Sequence, residues 1–170
     1  MNLRDYVRDV ADFPEAGIVF RDVMPLLADP VAFSHALEQL AHAVPPGGAD
    51  RIAAIEARGF VFGAALATRL RIGLVPIRKP GKLPAPVVGI DYALEYGRDR
   101  LELPREVMRP GLRVLLVDDV LATGGTLAAA ARLIRLCGCE PVAAGVLIEL
   151  EALGGRGALE GLRVHAVLRY

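Results

Sequence analysis

The stretch Leu115-Leu116-Val117-Asp118-Asp119-Val120-Leu121-Ala122-Thr123-Gly124-Gly125-Thr126 decides the fold. It begins inside a continuous apolar run, 113–118, of the kind that forms a strand covered on both faces. Two carboxylates follow, then a Gly-Gly loop bracketed by threonines. A helix is expected over about 126–137, closed by Gly138. Open α/β sheets bind ligands at the carboxyl ends of their strands, where Asp118 and Asp119 fall. Glycines let successive amide hydrogens face one point, and the helix start adds its positive end, so an anion is expected there. Thr123 and Thr126 add hydroxyl donors. The Gly-Lys-Ser/Thr ending of a Walker A loop is absent. Two carboxylates beside an anion site are otherwise unfavourable. They make sense if they accept hydrogen bonds from sugar hydroxyls, or face a cation such as Mg2+. A ribose phosphate satisfies both halves; the alternative is a capped strand-to-helix turn with no ligand.

The flanking sequence repeats the strand–helix rhythm. Residues 51–56 read as a buried strand, Ala57-Arg58-Gly59 as a turn and 60–71 as a small-residue helix. Strands are expected at 73–78, 140–148 and 163–169. Asp29-Pro30 is an N-cap and N1 pair for a helix whose apolar residues are Phe33, Leu37, Leu40 and Val44. Pro45-Pro46-Gly47-Gly48 stops it. Residues 2–9 read as a short helix and 14–29 as irregular. Apolar strands alternating with helices give an α/β class with a mostly parallel central sheet flanked by helices. Residues 79–104 break the rhythm. A connection that long is usually functional or disordered. Alternation at Val88, Ile90, Tyr92, Leu94 and Tyr96 predicts a β-hairpin, either a flap over a site or a surface hairpin without chemistry.

The 170 residues suit one domain, 1–170, with a core large enough to need no staples. Lys+Arg and Asp+Glu are both 20, so the balanced charge argues against a general nucleic-acid binder. No apolar run is long enough to span a membrane. The N-terminus lacks a basic segment followed by an apolar one, so no secretory signal is expected. Cys137 and Cys139 read as two small thiols, compatible with a reducing cytoplasm. His35, His42 and His165 are scattered, and a metal role is not expected of them. Of the 20 cationic residues 18 are Arg, and the two lysines, Lys79 and Lys82, stand three apart. Two of the four Ser/Thr hydroxyls, Thr123 and Thr126, lie in the Gly-Gly stretch. A GC-rich genome or a hot habitat explains why these types are rare, not where they fall.

Hydrophobic–Asp–Asp–x–x–Ala–Thr–Gly–Gly–Thr resembles the PRPP-binding motif of the type I phosphoribosyltransferase family, most closely its adenine branch. Further segments match in order: Phe13-Pro14 with Gly17 to Asp22, Glu56 to Phe60, Arg78 to Pro84, Leu94 to Gly97, and Glu149-Leu150. The resemblance spans about residues 12–155. It implies a type I fold with an N-terminal hood at about 1–30 and a flap at about 79–104. The implied activity joins adenine to 5-phosphoribosyl-1-pyrophosphate (PRPP), giving AMP and pyrophosphate through an oxocarbenium-like transition state.

The resemblance also implies residue roles. Ala122, Thr123, Gly124, Gly125 and Thr126 would wrap the 5′-phosphate, with Asp118 and Asp119 on the ribose hydroxyls. Ala57, Arg58 and Gly59 would form the pyrophosphate loop, Arg58 pairing with a phosphate edge. Family members often hold a non-proline cis peptide there, expected at Glu56–Ala57 or Ala57–Arg58. Arg78, Lys79 and Lys82 would add charge where pyrophosphate leaves, partly in a neighbouring subunit's site, so a homodimer is implied. Glu95 would handle a proton near the purine or stabilise positive charge, and Tyr96 would pack over ribose or pyrophosphate. Val19 and Arg21 would read the adenine edge through their backbones, with Phe20 and Leu150 around the ring. Mg2+ is expected mainly through PRPP oxygens and water, with no direct protein ligand. A transferase for another base, and a PRPP-sensing regulator without turnover, remain as alternatives.

Overall fold

A computed structural model describes residues 1–93 and 97–170. They divide into two units, Met1–Gln39 and Leu40–Tyr170.

In the first unit a 3₁₀ turn, Leu3–Tyr6, leads into an antiparallel pair, β1 (Arg8–Ala11) and β2 (Val19–Asp22). Next come α1 (Met24–Ala28) and the start of α2 (Pro30–Ala41). The helix expected over 2–9 is therefore one 3₁₀ turn followed by a strand, and the irregular 14–29 contains a strand and a helix. The cause is tertiary. β1 is exposed along most of its length, so it shows no apolar alternation. Its pairing is supported by charges fourteen and twelve residues away: Arg8 Nη2 lies 2.6 Å from Asp22, and Arg21 pairs with Asp9. Asp29 does cap α2, accepting the amides of Val31 at 2.9 Å and Ala32 at 2.8 Å.

The second unit is a five-stranded sheet of order β4-β3-β7-β8-β9, parallel throughout. Its elements in chain order are β3 (Arg51–Ile55), α3 (Gly59–Leu70), β4 (Gly73–Ile77), β5 (Val87–Ala93), β6 (Arg98–Pro104), β7 (Arg113–Leu121), α4 (Gly125–Leu136), β8 (Glu140–Glu149) and β9 (Val164–Arg169). The expected strand over 113–118 runs on to Leu121. Asp118 pairs with Val146, Val120 with Ile148 and Leu121 with Glu149, so the carboxylates sit within the sheet rather than after it. The apolar strand interiors are wholly buried, Ile52, Leu115, Leu116 and Ile148 among them. Each such side chain contributes about 1.5–3 kcal/mol relative to exposure.

β5 and β6 form the expected hairpin, with Ala93 opposite Arg98. Its base is built into the core. Tyr92, Leu101 and Leu103 are buried beside Ala129, Ala130 and Leu133 of α4, and Val88 and Ile90 pack on that cluster. Small residues on α4 allow this approach. The segment between β8 and β9, where no element is expected from sequence, makes two 3₁₀ turns, Glu151–Leu153 and Gly155–Leu159.

Candidate active site

The site is built where β7 ends. Residues 122–124 turn the chain into α4, and Gly124 takes φ +86° at the position before the helix. Asp118 and residues 120–127 enclose a pocket of about 80 Å³. That is room for several water-sized groups. That size suits a phosphate group. Thr123 is exposed at its rim, Thr126 half-buried in the first turn of the helix. Amides at a helix start together with two hydroxyls make an anion cradle.

Asp118 and Asp119 are both buried. Asp118 Oδ1 accepts the amide of Asp119 at 2.9 Å. Burial, and then the neighbouring Asp119 charge, push the Asp118 carboxyl well above its ordinary pKa. The carboxylate form is thus poorly solvated and open to hydroxyl donors. Gly59, at the start of α3, lies against this residue. A Cβ there would stand 2.9 Å from Asp118 Oδ1 and 3.1 Å from the Val117 carbonyl. The turn after β3 and the end of β7 therefore touch backbone to side chain, which any larger residue at 59 would prevent.

Ala57, Arg58 and Gly59 form that turn, and the Glu56–Ala57 peptide is cis, at one of the two expected places. Arg58 Nε donates to Asp119 Oδ2. The residue expected on pyrophosphate is thus bonded to a residue expected on ribose, and the two loops are brought together.

A carboxylate that the sequence reading left without a role organises the cationic group. Glu56 accepts Arg78 Nε at 2.8 Å through one oxygen and the Lys79 amide at 2.8 Å through the other. The Arg78 guanidinium also lies over Phe60, 5.6 Å from the ring centre. Lys79 Nζ donates to Asp99 and, at 3.3 Å, to the Tyr92 hydroxyl. Burial disfavours the charged lysine, but these two partners outweigh it and raise its pKa. Lys82 is exposed, and its carbonyl accepts Arg78 Nη1 at 3.3 Å. Arg78 and Lys79 are therefore placed from within the same chain, and the sheet end and the hairpin base are joined through the Arg78–Glu102 bridge.

Val19, Phe20 and Arg21 lie on β2 in the first unit; Phe20 meets Phe13 edge-on at 5.2 Å. Leu150 follows β8 in the second unit, its amide donating to the Leu121 carbonyl at 2.9 Å. Glu95 and Tyr96 lie outside the described residues. Among the described residues no group of three or more His, Cys, Asp or Glu side chains converges in a way that could hold a metal.

Residues 32–160 match the family model of the phosphoribosyl transferase domain. The adenine phosphoribosyltransferase of Methylococcus capsulatus is 51% identical over 168 residues, covering 99% of this chain and 98% of that protein. The crystal structure of adenine phosphoribosyltransferase from Thermoanaerobacter pseudethanolicus superposes with a TM-score of 0.95 at 45% identity, covering 99% and 98% of the two chains. The Saccharomyces cerevisiae enzyme, crystallised with an imino-altritol bisphosphate and adenine, gives 0.92 at 35% identity, covering 98% and 96%. With likeness running the length of both partners, and a pocketed Gly-Gly loop between β7 and α4 as the sequence motif predicts, the chain belongs to the adenine phosphoribosyltransferases of the phosphoribosyltransferase family.

Proposed function

We propose that the protein transfers the 5-phosphoribosyl group of PRPP to adenine, releasing AMP and pyrophosphate, with the residues in the following roles. The observation that carries this reading is the phosphate-sized pocket of residues 120–127 set directly beside two buried carboxylates. Residues 122–126 hold the 5′-phosphate. Asp118 and Asp119 accept the 2′- and 3′-hydroxyls. Held at both points, the ribose keeps its C1 free to move from the leaving oxygen to the incoming purine nitrogen. Arg58 exchanges partners: ribose hydroxyls replace it on Asp119, and it turns to the pyrophosphate. Arg78, Lys79 and Lys82 add charge on the same side, and Ala57 and Gly59 offer backbone amides. Val19, Phe20, Arg21 and Leu150 are proposed for the base, and Glu95 and Tyr96 for proton handling and packing over the ribose, all on the motif matches.

Mg2+ fits as a companion of PRPP rather than of the protein. Among the described residues the donor set near the loop is one pair of carboxylates, and Mg2+ readily keeps water and substrate oxygens as ligands. It would supply neutralising charge to the pyrophosphate, and Asp118 and Asp119 would be the carboxylates available to accept hydrogen bonds from its waters. A homodimer is supported by exposed apolar side chains at the β4 side of the sheet, Leu74 on β4 and Val61 on α3. A cytoplasmic setting is supported by the two free thiols. Among the described residues, no helix is long and apolar enough to cross a membrane.

Turnover of PRPP and Mg2+ with adenine, hypoxanthine, guanine, xanthine and orotate tests the reading. AMP formation with clear preference for adenine is expected. Preference for a 6-oxo base would overturn the adenine assignment. PRPP binding without turnover of any base would indicate the sensing alternative.

A further inference from the structure

The phosphate loop has a wall behind it that no sequence motif marks. A Cβ on Gly124 would strike the Gly155 carbonyl oxygen and stand 3.0 Å from Ala158 Cβ. A Cβ on Gly155 would strike the Ala122 carbonyl oxygen and stand 2.8 Å from Leu121 Cδ1. The loop and the 3₁₀ turn Gly155–Leu159 thus meet backbone to backbone at two points. Gly155 and Leu159 are buried, and Leu159 packs into the α4 cluster.

One side chain ties this turn to the sheet. Arg156 places Nε 2.6 Å from one oxygen of Glu149 and Nη2 2.7 Å from the other, a two-pronged pair. Its Nη1 donates to the Val164 carbonyl at 2.9 Å, reaching the next strand. Glu149 is buried at the end of β8, opposite Leu121 of β7. The Arg156 hydrogen bonds, which outweigh the cost of burial, hold its carboxyl below the usual range. Left-handed bends at Gly154, φ +62°, and Glu160, φ +47°, frame the turn.

We infer that the Gly155–Leu159 turn sets the shape of the 5′-phosphate loop, and that Arg156, through Glu149, is a positioning residue for the sugar phosphate and not for the base. The inference rests on the transferase reading above. A loop held by its own glycines alone would sample many shapes, whereas a backbone wall leaves it few, so phosphate binding meets a smaller ordering cost.

Three variants of the full chain test this: R156Q, G155A and G157A. R156Q removes the fork and keeps the size. G155A keeps the ion pair and presses on the Ala122 carbonyl. G157A lies in the same turn, where a Cβ would meet nothing within 4 Å. R156Q and G155A are each expected to raise the PRPP KM about tenfold or more and leave the adenine KM within about twofold. G157A should change neither. Ribose 5-phosphate should raise the Tm of the wild type and of G157A, and that increment should shrink in R156Q and G155A. A purely structural role would lower the Tm of R156Q without changing the PRPP KM or the ribose 5-phosphate increment, and would overturn the inference. Equal rises in both KM values would overturn it as well. Failure of the wild type to make AMP would strike the transferase reading instead, while the ribose 5-phosphate increments would still judge the wall.

Discussion

Two loops leave neighbouring strands of the same sheet and are held in different ways. The turn after β3 is held by charge: Arg58 is bonded to Asp119, and Glu56 behind it gathers Arg78 and the Lys79 amide. The loop after β7 is held by shape: Gly124 and Gly155 interlock, with Arg156 acting at one remove. The difference suits the groups proposed for each. Pyrophosphate arrives and leaves each cycle, and a charge-held loop can exchange one anion for another. The 5′-phosphate stays on the product, and a shape-held loop can serve as a fixed anchor.

The largest effect that would break this contrast is expected where both loops meet. The double variant D118N/D119N removes two charge-assisted contacts of about 1.5–3 kcal/mol each, so kcat/KM for PRPP should fall by about 10²–10⁴-fold. Unchanged kcat/KM in steady-state assays would remove the ribose assignment. R58Q comes next, with a loss of about 10–100-fold in kcat/KM for PRPP. Measured in the reverse direction, its pyrophosphate KM should rise while its AMP KM changes little, which would separate the two loops. G124A forces a β-carbon into a left-handed position at about 1–2 kcal/mol and against the Gly155 carbonyl, so Tm falls and the PRPP KM rises about tenfold. Its pyrophosphate KM should stay near wild type, the opposite pattern to R58Q.

The smallest effect concerns the unliganded protein. Asp118 has a folded-state pKa above its unfolded value. The stability tied to its protonated form is fully present below the unfolded pKa and is lost as pH rises through the folded one. D118N should therefore melt higher than wild type at neutral pH, with the gain vanishing toward pH 4. Thermal melts across that range, set beside the weakened ribose binding of the same variant, would show that the site holds a carboxylate at a cost to stability.

The legible part of the chain was the part whose meaning is local. Asp118 to Thr126 could be read because strand, carboxylates, glycines and helix start are consecutive, and each has a local reason. Asp29-Pro30 and Gly138 were legible for the same cause: the first starts α2 and the second follows the end of α4, as expected. β1 was misread because its partner is β2 and its faces are mostly exposed; neither periodicity nor propensity records a pairing with Asp22. Glu56, Glu149 and Arg156 were missed because their partners are 22, 7 and 7 residues away along the chain. A signal did exist for two of them. Glu56 and Glu149 each close an apolar strand, and a carboxylate at such a place needs a cation.

The sequence by itself determined the class of fold, the place of the Gly-Gly loop between β7 and α4, and the kind of ligand proposed for it. These follow from steric and electrostatic rules that act over a few residues. The tertiary structure alone decided that Arg58 rests on Asp119, that Glu56 marshals the cationic group, that the hairpin base joins the core, and that a remote 3₁₀ turn walls the phosphate loop. Those are contacts between strand ends, and their energies exist only once the parallel sheet has brought distant carboxyl ends to one edge.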